Sequence, residues 1–422
     1  MGEEMKFYFE SYGCTMNQGE AKIMEDIVRA RGHEIVSEEE QSEVLVLVTC
    51  TVIETTELRM LKRLKELTKT GKMVVVAGCM ASVQKDVILS NNPDALILTP
   101  QYLKDMGKVA DILAIGDERP KRDREYEDAL KKSADAIIPI SSGCLGSCTY
   151  CITKVARGAL QSHTSDILIE SMKKVLSDGF KEIRLTSQDT AAYGADIESN
   201  LPSLLKSICE IEGEFRIRVG MMNPENVKPI LPEMLDVFSD PRIYKFLHLP
   251  VQSGNEEVLE KMGRGYTISD YLYVIDGFRE AFPNLTISTD VIVGFPGESD
   301  SDFKDTVDLV KKLRPNILNI TRFSPRPQTL AKDMENKIPS RIAKERSREL
   351  TKVQAEISRS INAAFVGNKE HILICEPGKP GSMMGRTNSY LPVIVKESVA
   401  LCQFIDVEII ESKDTYLIGK IL

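Results

Sequence analysis

A recurring alternation of short apolar runs and longer polar segments restricts the fold of this chain more than any other feature. From Ala136 to Phe323, six apolar runs typical of strands occur, and a polar segment long enough for a helix follows each of the first five. The runs read AIIPIS, EIRLTS, FRIRVG, KFLHLP, LTISTDVIV and ILNITRF. Repeated strand–helix units place parallel strands side by side, with the helices packed outside them. The pattern therefore predicts an α/β protein with a central partial (β/α)6 barrel.

The segments that flank the predicted barrel have different patterns. Apolar runs alternate with polar helical stretches in the first 115 residues, which predicts an N-terminal α/β domain with a parallel sheet. The segment from Asp117 to Lys132 is nearly all charged and has no apolar face, as in a linker. Beyond Gly367, short strands separated by turns predict a small β domain. The predicted N-terminal domain, linker, barrel domain and C-terminal domain occupy residues 1–115, 116–134, 135–362 and 363–422.

Composition and charge exclude several classes of protein. No apolar run approaches the length of a membrane span, and the N-terminal MGEEMKFYFE lacks the basic and apolar regions of a secretory signal, so we expect a cytoplasmic protein without a membrane partner. The net charge of -9 argues against non-specific coating of nucleic acid. Residues 341–422 nevertheless carry 12 Lys/Arg against 10 Asp/Glu, so any RNA contact is expected there.

Three cysteines in one loop indicate an iron–sulfur cluster. Cys144, Cys148 and Cys151 form a C-x3-C-x2-C pattern directly after the first barrel strand, at the strand end where barrel active sites lie. Three thiolates leave one iron of a [4Fe-4S] cluster without a protein ligand, and that iron can bind the amino and carboxylate groups of S-adenosylmethionine. A zinc knuckle is the alternative, but the sequence has no second C-x2-C pair to complete four ligands.

A second set of cysteines shares one position in the predicted N-terminal sheet. Cys14, Cys50 and Cys79 each stand just beyond a predicted strand, in KFYFESYGC, VLVLVTC and MVVVAGC. The carboxyl ends of parallel strands meet at one edge of a sheet, so these thiols are expected to form a second three-cysteine cluster site. Three unrelated buried thiols are the alternative. The remaining cysteines, predicted to be packing residues in a helix and in strands of the β domain, are Cys209, Cys375 and Cys402.

Several longer motifs accompany these cysteines: YGCTMNQGE, LTSQDTAAYG, HLPVQSGNEEVLEKMGRGYT and DVIVGFPGES. With them the chain resembles, over nearly its whole length, the radical S-adenosylmethionine methylthiotransferase family, and Tyr150 before the last cluster cysteine fits the superfamily signature. Members join a three-cysteine domain, a radical barrel and a small β-barrel called TRAM. The stretches TYCITKVARG, GMMNP and DPRIYKFLHLPVQS most resemble the archaeal and eukaryotic branch, which acts on N6-threonylcarbamoyladenosine at position 37 of tRNA.

The resemblance implies an activity with two [4Fe-4S] clusters and S-adenosylmethionine. The cluster in the barrel loop is expected to generate a radical that removes hydrogen from adenosine C2, and the second cluster is expected to carry the sulfur that is inserted as a methylthio group. The implied partners are the tRNA anticodon loop, a reducing electron donor and a sulfur donor. The alternatives are another tRNA adenosine or a ribosomal-protein aspartate as substrate, or a non-catalytic iron–sulfur redox sensor or RNA-binding protein.

Further site residues are expected at the barrel rim. The predicted cofactor-binding set is Tyr150, Gln188, Asp189, Asn223 and Gln252. For Asn223 and Gln252, as for Ser253, capping of a helix or turn is the alternative role. Resemblance to TRAM implies that Arg386 and Asn388 contact tRNA from a loop, with an ordinary solvated turn as the alternative. The chain departs from the family at Arg326 to Thr329, where RPQT replaces the usual RPGT and a glycine's backbone freedom is absent.

Overall fold

The computed structural model describes residues 4–52, 54–113 and 135–422, so the linker predicted at 116–134 lies outside the described residues. The N-terminal unit is a five-stranded parallel sheet of order β2-β1-β3-β4-β5. Its strands are β1 (Lys6–Ser11), β2 (Glu34–Ile35), β3 (Val44–Thr49), β4 (Met73–Gly78) and β5 (Leu96–Leu98). Its helices are α1 (Thr15–Ala30), α2 (Glu54–Thr68), α3 (Cys79–Val83), α4 (Lys85–Asn91) and α5 (Met106–Leu113), with 3-10 turns at Glu39–Gln41 and Pro100–Asp105. Every residue of β3 is buried, as in a central parallel strand covered on both faces.

The central unit is a partial barrel of six parallel strands with helices outside. One half consists of β6 (Asp135–Pro139), β9 (Glu182–Thr186) and β10 (Arg216–Val219), and the other of β11 (Phe246–His248), β12 (Thr286–Val293) and β13 (Ile317–Arg322). Between β6 and β9 in the chain, β7 (Ser141–Ser142) and β8 (Gln161–Ser162) pair as a separate two-stranded ribbon. A parallel bridge between Ile217 and Ile243 joins the halves. Among the described residues, β6 and β13 each pair with one barrel strand, so the barrel stays open between them. The predicted partial barrel is confirmed.

Helices cover the outer face of the barrel. They are α6 (Thr153–Arg157), α7 (Ser165–Ser177), α8 (Leu201–Cys209), α9 (Pro224–Val227), α10 (Leu231–Phe238), α11 (Glu256–Lys261), α12 (Ile268–Ala281), α13 (Asp300–Leu313) and α14 (Ser340–Ala363), with 3-10 turns at Thr190–Ala192, Lys228–Ile230 and Leu330–Lys332. Capping boxes begin α12 and α13, at Thr267 with Asp270 and at Ser299 with Asp302. Cys209 lies in the buried core under these helices, which confirms its packing role.

Side chains alternate along the barrel strands between an apolar outer face and a polar inner face. Ile183, Leu185, Ile217 and Val219 pack in the core beneath the helices. Each such fully buried side chain stabilises the fold by about 1.5–3 kcal/mol. The strand period of two therefore turns the intervening residues inward, and these include Arg184, Arg218, His248, Asp290 and Asn319. The interior of this barrel is lined by polar groups rather than filled by aliphatic ones.

The C-terminal unit is a closed five-stranded barrel of order β14-β15-β16-β18-β17. Its strands are β14 (Lys369–Pro377), β15 (Met383–Arg386), β16 (Pro392–Val395), β17 (Phe404–Ser412) and β18 (Leu417–Ile421). The predicted small β domain is thus a β-barrel, as the family resemblance implies. Cys375 lies in β14 and is buried, but the prediction that Cys402 lies in a strand is wrong. Cys402 occupies a turn before β17 with a left-handed φ of 64°, because the strand begins at Phe404.

The C-terminal barrel packs against the amino ends of the central strands, around the carboxylate of Glu182. This first residue of β9 is fully buried and accepts hydrogen bonds from Arg184 Nε at 2.9 Å, Cys375 Sγ at 2.7 Å and the Tyr390 hydroxyl at 3.3 Å. Burial alone would raise the pKa of Glu182, but the charge of Arg184, the Cys375 hydrogen bond and the charge of Arg386 outweigh it, and the pKa lies below its ordinary 4.5. One ionised glutamate therefore joins the two barrels. Within the described ranges, no helix is long and apolar enough to cross a lipid bilayer.

Replacing Glu182 should reveal this ionised link. Because the pKa of Glu182 is lowered in the folded protein, its charge stabilises the fold above about pH 4.5, and this contribution is lost as the pH falls through the lower folded-state pKa. We expect Glu182→Gln to lower the free energy of unfolding at pH 7 by about 2–3 kcal/mol. The variant should also lose less stability than the parent between pH 5 and pH 3, as measured by urea denaturation. The exposed Glu210→Gln is the matched control, and identical pH profiles for parent and Glu182→Gln would contradict the assignment.

Candidate active site

The loop that follows β6 and β7 carries three of the predicted cluster cysteines on the carboxyl rim of the barrel. Gly143 opens it with φ of 81°, and a Cβ there would stand 1.9 Å from the carbonyl oxygen of Ala159, so only glycine fits. The loop is anchored to the segment after α11, because Thr149 donates its backbone N–H to the Met262 carbonyl at 2.9 Å and its hydroxyl to the Lys261 carbonyl at 2.8 Å. These two hydrogen bonds hold the cysteine loop against the barrel rim.

Hydrogen-bond donors point at two of the sulfurs in this loop. The backbone N–H of Gly146 lies 3.3 Å from Cys144 Sγ, and Arg264 Nη1 lies 3.2 Å from Cys148 Sγ. Burial raises the pKa of Cys144 to about 11 and raises the pKa of Cys151. Metal binding would therefore have to displace thiol protons, and the donors at the sulfurs would stabilise the thiolates that result.

Arg264 is held in place by a chain of hydrogen bonds. Its Nη2 donates to Asn223 Oδ1 at 2.9 Å and its Nε donates to the Tyr266 hydroxyl at 3.1 Å, while that hydroxyl donates to the Val251 carbonyl at 2.8 Å. Arg264 and Asn223 line a cavity of about 140 Å³ beside Cys148. Asn223 therefore positions Arg264 at the cysteine loop. Sequence reasoning missed Arg264 although it lies in the quoted HLPVQSGNEEVLEKMGRGYT motif.

Two predicted cofactor-binding residues present buried acceptors. The Oε1 atoms of Gln188 and Gln252 are buried and have no hydrogen-bond partner among the described residues. Gln252 also has a φ of 70°, a backbone conformation that costs an ordinary residue about 1–2 kcal/mol. An unsatisfied buried acceptor costs a further 1–3 kcal/mol or so. These two oxygens fit a ligand that brings N–H or O–H donors to the barrel rim.

The other predicted rim residues have defined contacts within the protein. Asp189 accepts hydrogen bonds from the backbone of Ala191 at 3.1 Å and of Asn223 at 2.9 Å, and from Asn226 Nδ2 at 2.6 Å. Burial raises the pKa of this carboxyl. Ser253 Oγ accepts a hydrogen bond from the backbone N–H of Asn255 at 3.2 Å. Ser253 therefore caps a turn, which was its alternative role. Tyr150 packs edge-on to Phe295 with ring centroids 6.4 Å apart, so its ring helps to form an apolar wall.

The N-terminal cysteines stand at the carboxyl ends of three adjacent strands, as expected. Cys14 immediately precedes α1, Cys50 follows β3 and Cys79 opens α3. Gly13 has a φ of 103°, and a Cβ there would stand 2.4 Å from Cys50 Cβ, so the Cys14 loop lies directly against Cys50. Cys50 and Cys79 are buried and Cys14 is exposed. Burial raises the pKa of Cys79 to about 12.

Each of the two sites offers three cysteine thiols as possible metal ligands. Within the residues that the structure describes, no three Cys, His, Asp or Glu side chains lie close enough together to enclose a single metal ion. A four-iron cluster has a different requirement, because each thiolate binds a separate iron and the ligands stand farther apart than those of one ion. Sulfur ligands are those that iron–sulfur clusters use, so both sets fit such a group. A larger cavity of about 560 Å³ between α1 and α7 has no cysteine in its lining.

Arg157 joins the barrel to the N-terminal cysteine site. It ends α6, just after the barrel cysteine loop, and is 3% exposed. Its Nε donates to Cys79 Sγ at 3.2 Å, and its Nη2 donates to Glu20 Oε2 at 2.8 Å and to Asn17 Oδ1 at 3.1 Å. Its Nη1 pairs with the other oxygen of Glu20. A guanidinium from the barrel is therefore bound inside the N-terminal cysteine site, and sequence reasoning missed it although TYCITKVARG contains it.

Comparison with known proteins gives the family. Residues 6–99 match uncharacterized protein family UPF0004, residues 138–310 match the radical SAM superfamily and residues 363–422 match the TRAM domain. The chain is 40% identical to a probable threonylcarbamoyladenosine tRNA methylthiotransferase of Pyrococcus horikoshii, over 99% of this chain and 100% of that protein. The chain belongs to the threonylcarbamoyladenosine tRNA methylthiotransferase family. The human threonylcarbamoyladenosine tRNA methylthiotransferase is 33% identical, over 98% of this chain and 74% of that protein.

Solved structures show the same fold as this methylthiotransferase family member. A radical S-adenosylmethionine methyltransferase, TsrM, from Kitasatospora setae aligns with a TM-score of 0.60 at 13% identity, over 78% of this chain and 75% of that chain. The cobalamin-dependent radical enzyme OxsB aligns with a TM-score of 0.51 at 10% identity, over 85% of this chain and 56% of that chain. At these identities the likeness concerns the fold alone.

The chain has RPQT where the family usually has RPGT, but the backbone at this position keeps the conformation that is typical of glycine. Gln328 has a φ of 61°, which is the left-handed conformation that glycine adopts freely. Arg326 in the same loop donates to Thr51 Oγ1 at 3.0 Å and pairs with Glu57. Thr51 directly follows Cys50. The loop therefore ties the barrel to the N-terminal cysteine site, and the strain at Gln328 is borne by these contacts.

The predicted loop position of Arg386 is wrong. Arg386 is the last residue of β15, and its guanidinium stacks on the Tyr390 ring, 4.7 Å from the centroid, and lies 3.6 Å from Glu376. The structure turns it toward the interface of the two barrels, because the Tyr390 ring and the Glu182 carboxylate attract it there. Asn388 lies in the following turn and is exposed, and its carbonyl accepts from the Lys245 backbone at 2.8 Å.

Breaking the Arg157–Glu20 pair should destabilise the N-terminal cysteine site. We expect Arg157→Gln to lower the free energy of unfolding by about 3–5 kcal/mol, because Glu20 is then left buried without a cation. The Arg157→Gln/Glu20→Gln double variant should recover part of that loss, which a double-mutant cycle in urea measures. Additive losses, in which the double variant loses the sum of what Arg157→Gln and Glu20→Gln lose singly, would show that the two side chains do not depend on each other.

Proposed function

We propose that this protein attaches a methylthio group to C2 of N6-threonylcarbamoyladenosine at position 37 of tRNA, using two [4Fe-4S] clusters and S-adenosylmethionine. The observation that carries the proposal is the contact of Arg157 with the N-terminal cysteine site: it ends the helix that follows the barrel cysteine loop, and its Nε donates to Cys79 Sγ. An enzyme that makes a radical and also delivers sulfur needs both sites at one reacting atom. Relatives that align with nearly the whole chain are named for this activity.

The six cysteines are the proposed ligands of the clusters. Cys144, Cys148 and Cys151 would hold one cluster, and Cys14, Cys50 and Cys79 would hold the other. When bound, these clusters and S-adenosylmethionine supply radical cleavage of an unactivated C–H bond and the sulfur that replaces the hydrogen. The C2–H bond breaks and a C2–S bond forms, with the methyl group taken from a second S-adenosylmethionine. An electron donor and a sulfur donor are therefore required partners of the proposal.

The chain's own side chains bind, orient and exclude water at this site. Arg264 and Arg157 donate to sulfurs of the two cysteine sets and so favour thiolates over thiols. The buried oxygens of Gln188 and Gln252 would accept hydrogen bonds from the amino and hydroxyl groups of S-adenosylmethionine. Tyr150 and Phe295 form an apolar wall that would limit the access of water to the barrel loop. Exclusion of water protects reactive intermediates from side reactions.

The proposed route of the tRNA follows the open side of the barrel. The C-terminal barrel packs at the amino ends of the central strands, opposite the cysteine loop, and β13 borders the opening with exposed Asn319 and Thr321. A flipped nucleotide could enter along this strand while the C-terminal barrel contacts the surrounding RNA. Because its substrate would be tRNA, the proposal includes a cytoplasmic location.

Two sets of cysteine variants separate the roles of the sites. Replacing Cys144, Cys148 and Cys151 by Ala should abolish formation of 5′-deoxyadenosine in an anaerobic assay with reductant. Replacing Cys14, Cys50 and Cys79 by Ala should leave that product but abolish methylthiolation, as measured by mass spectrometry of tRNA nucleosides. Bound iron should fall from about eight to about four atoms per chain in each set. Cys402→Ala, in a turn of the C-terminal barrel, is the control.

The alternative functions predict other outcomes in the same experiments. Unchanged methylthiolated threonylcarbamoyladenosine in a deletion strain would refute the substrate and favour another adenosine or a ribosomal protein. Persistent failure of the reconstituted protein to form 5′-deoxyadenosine would favour a redox sensor or a non-catalytic RNA-binding protein.

A further inference from the structure

The guanidinium of Arg218, inside the barrel, forms no salt bridge with a described residue. Arg218 lies in β10, between Ile217 and Val219, which pack outward in the core, so its side chain points into the barrel. Its guanidinium stands over the Phe246 ring, 4.9 Å from the centroid, and 5.5 Å from the centroid of Tyr390. The two rings hold the guanidinium in place without neutralising it.

Arg184 and Arg386 differ from Arg218 because each pairs with a carboxylate, and Arg216 is covered by the Phe404 ring. Arg184 lies 2.9 Å from Glu182 and 3.2 Å from Asp135, and Arg386 lies 3.6 Å from Glu376. Burial lowers the pKa of Arg218, and the nearby Glu182 carboxylate offsets this effect only in part. A partly buried cation without a salt bridge is costly, and a bound anion would remove that cost.

The barrel interior around Arg218 is polar and reached from the open side. His248 Nε2 lies 3.0 Å from Asp290 Oδ1, and Asn319 Nδ2 lies 2.6 Å from the same oxygen. These side chains point inward from β11, β12 and β13, and Asn319 is exposed at the opening beside β13. A ligand that enters along β13 would therefore meet this polar surface before it reaches Arg218.

We propose that Arg218 binds the free carboxylate of the threonylcarbamoyl group, and so selects the adenosine that bears it. The proposal rests on the proposed function. Threonylcarbamoyladenosine differs from an adenosine with an apolar N6 substituent by this carboxylate, and a guanidinium binds a carboxylate with two parallel hydrogen bonds. The Phe246 and Tyr390 rings fix the guanidinium in one orientation before the ligand arrives, which lowers the entropic cost of binding.

Arg218 lies below the barrel rim, where the N6 substituent of the adenosine would reach while the reacting C2 edge of the base stays at the rim. A strand rises about 3.3 Å per residue, so Arg218 lies roughly 7 Å below Gly220, the residue that follows β10. The rim residue Asn223 and the cysteine loop lie beyond that point. With C2 at the rim, a carboxylate at the end of the substituent would extend inward along the barrel toward Arg218.

The experiment compares Arg218→Gln with Arg216→Gln on tRNA that carries threonylcarbamoyladenosine. Arg216 is the matched control, because it lies two residues away on the same inner face and its guanidinium is covered by the Phe404 ring, 4.6 Å from the centroid. We expect Arg218→Gln to raise the KM for the modified tRNA about ten- to a hundredfold with a small change in kcat. Arg216→Gln should stay within about twofold of the parent. Arg218→Lys, which keeps the charge and much of the packing, should fall between the two.

A second measurement isolates the carboxylate itself. The free nucleoside N6-threonylcarbamoyladenosine and its methyl ester are used as competitors of tRNA methylthiolation. The acid should inhibit the parent enzyme more strongly than the ester, and this preference should vanish in Arg218→Gln. An equal preference in both enzymes would overturn the proposal. An Arg218→Gln defect that is the same for modified and unmodified tRNA in a binding assay would also overturn it, because it would indicate a phosphate contact. If the parent enzyme itself does not methylthiolate the tRNA, the proposed function fails before Arg218 is tested.

Discussion

The buried pair of Arg157 and Glu20 is the interaction on which the arrangement of the active site depends. Arg157 belongs to the barrel and Glu20 to the first helix of the N-terminal sheet, and both are almost completely buried. A cation and a carboxylate that are removed from water together stabilise each other only in one geometry. Because the same guanidinium donates to Cys79, that geometry also fixes the N-terminal thiols relative to the barrel loop. The same side chain therefore holds the barrel against the N-terminal unit and positions the sulfur of Cys79.

The interior of the barrel can stay polar because different sets of contacts cover the two ends of its strands. At the amino ends of the strands, Glu182 collects hydrogen bonds from Arg184, Cys375 and Tyr390, so the charges there are compensated by the C-terminal barrel. At the carboxyl ends, the cysteine loop is fastened to the segment after α11. The opening between β6 and β13 leaves the interior accessible from the side. A closed barrel of the same size would be filled by aliphatic side chains.

Sequence patterns predicted the three folding units and the positions of the six cysteines because both follow from local signals. Strand periodicity and the placement of Cys14, Cys50 and Cys79 after apolar runs need no knowledge of distant contacts. The arginines that donate to sulfur could not be found in this way, because their partners are up to 116 residues distant in the chain. Arg386 was misplaced for the same reason. A charged residue near a turn is ordinarily exposed, and only the packing of two barrels turns this one inward.

Three residues of the barrel keep groups that a ligand could satisfy. Gln188 and Gln252 have buried oxygens without partners among the described residues, Gln252 adds a left-handed backbone, and Arg218 forms no salt bridge with a described residue. Each of these features destabilises the folded chain by about 1–3 kcal/mol, and a bound ligand would remove that cost. The buried oxygens require donors and the guanidinium requires an anion, and the proposed S-adenosylmethionine and carboxylate-bearing adenosine together supply both.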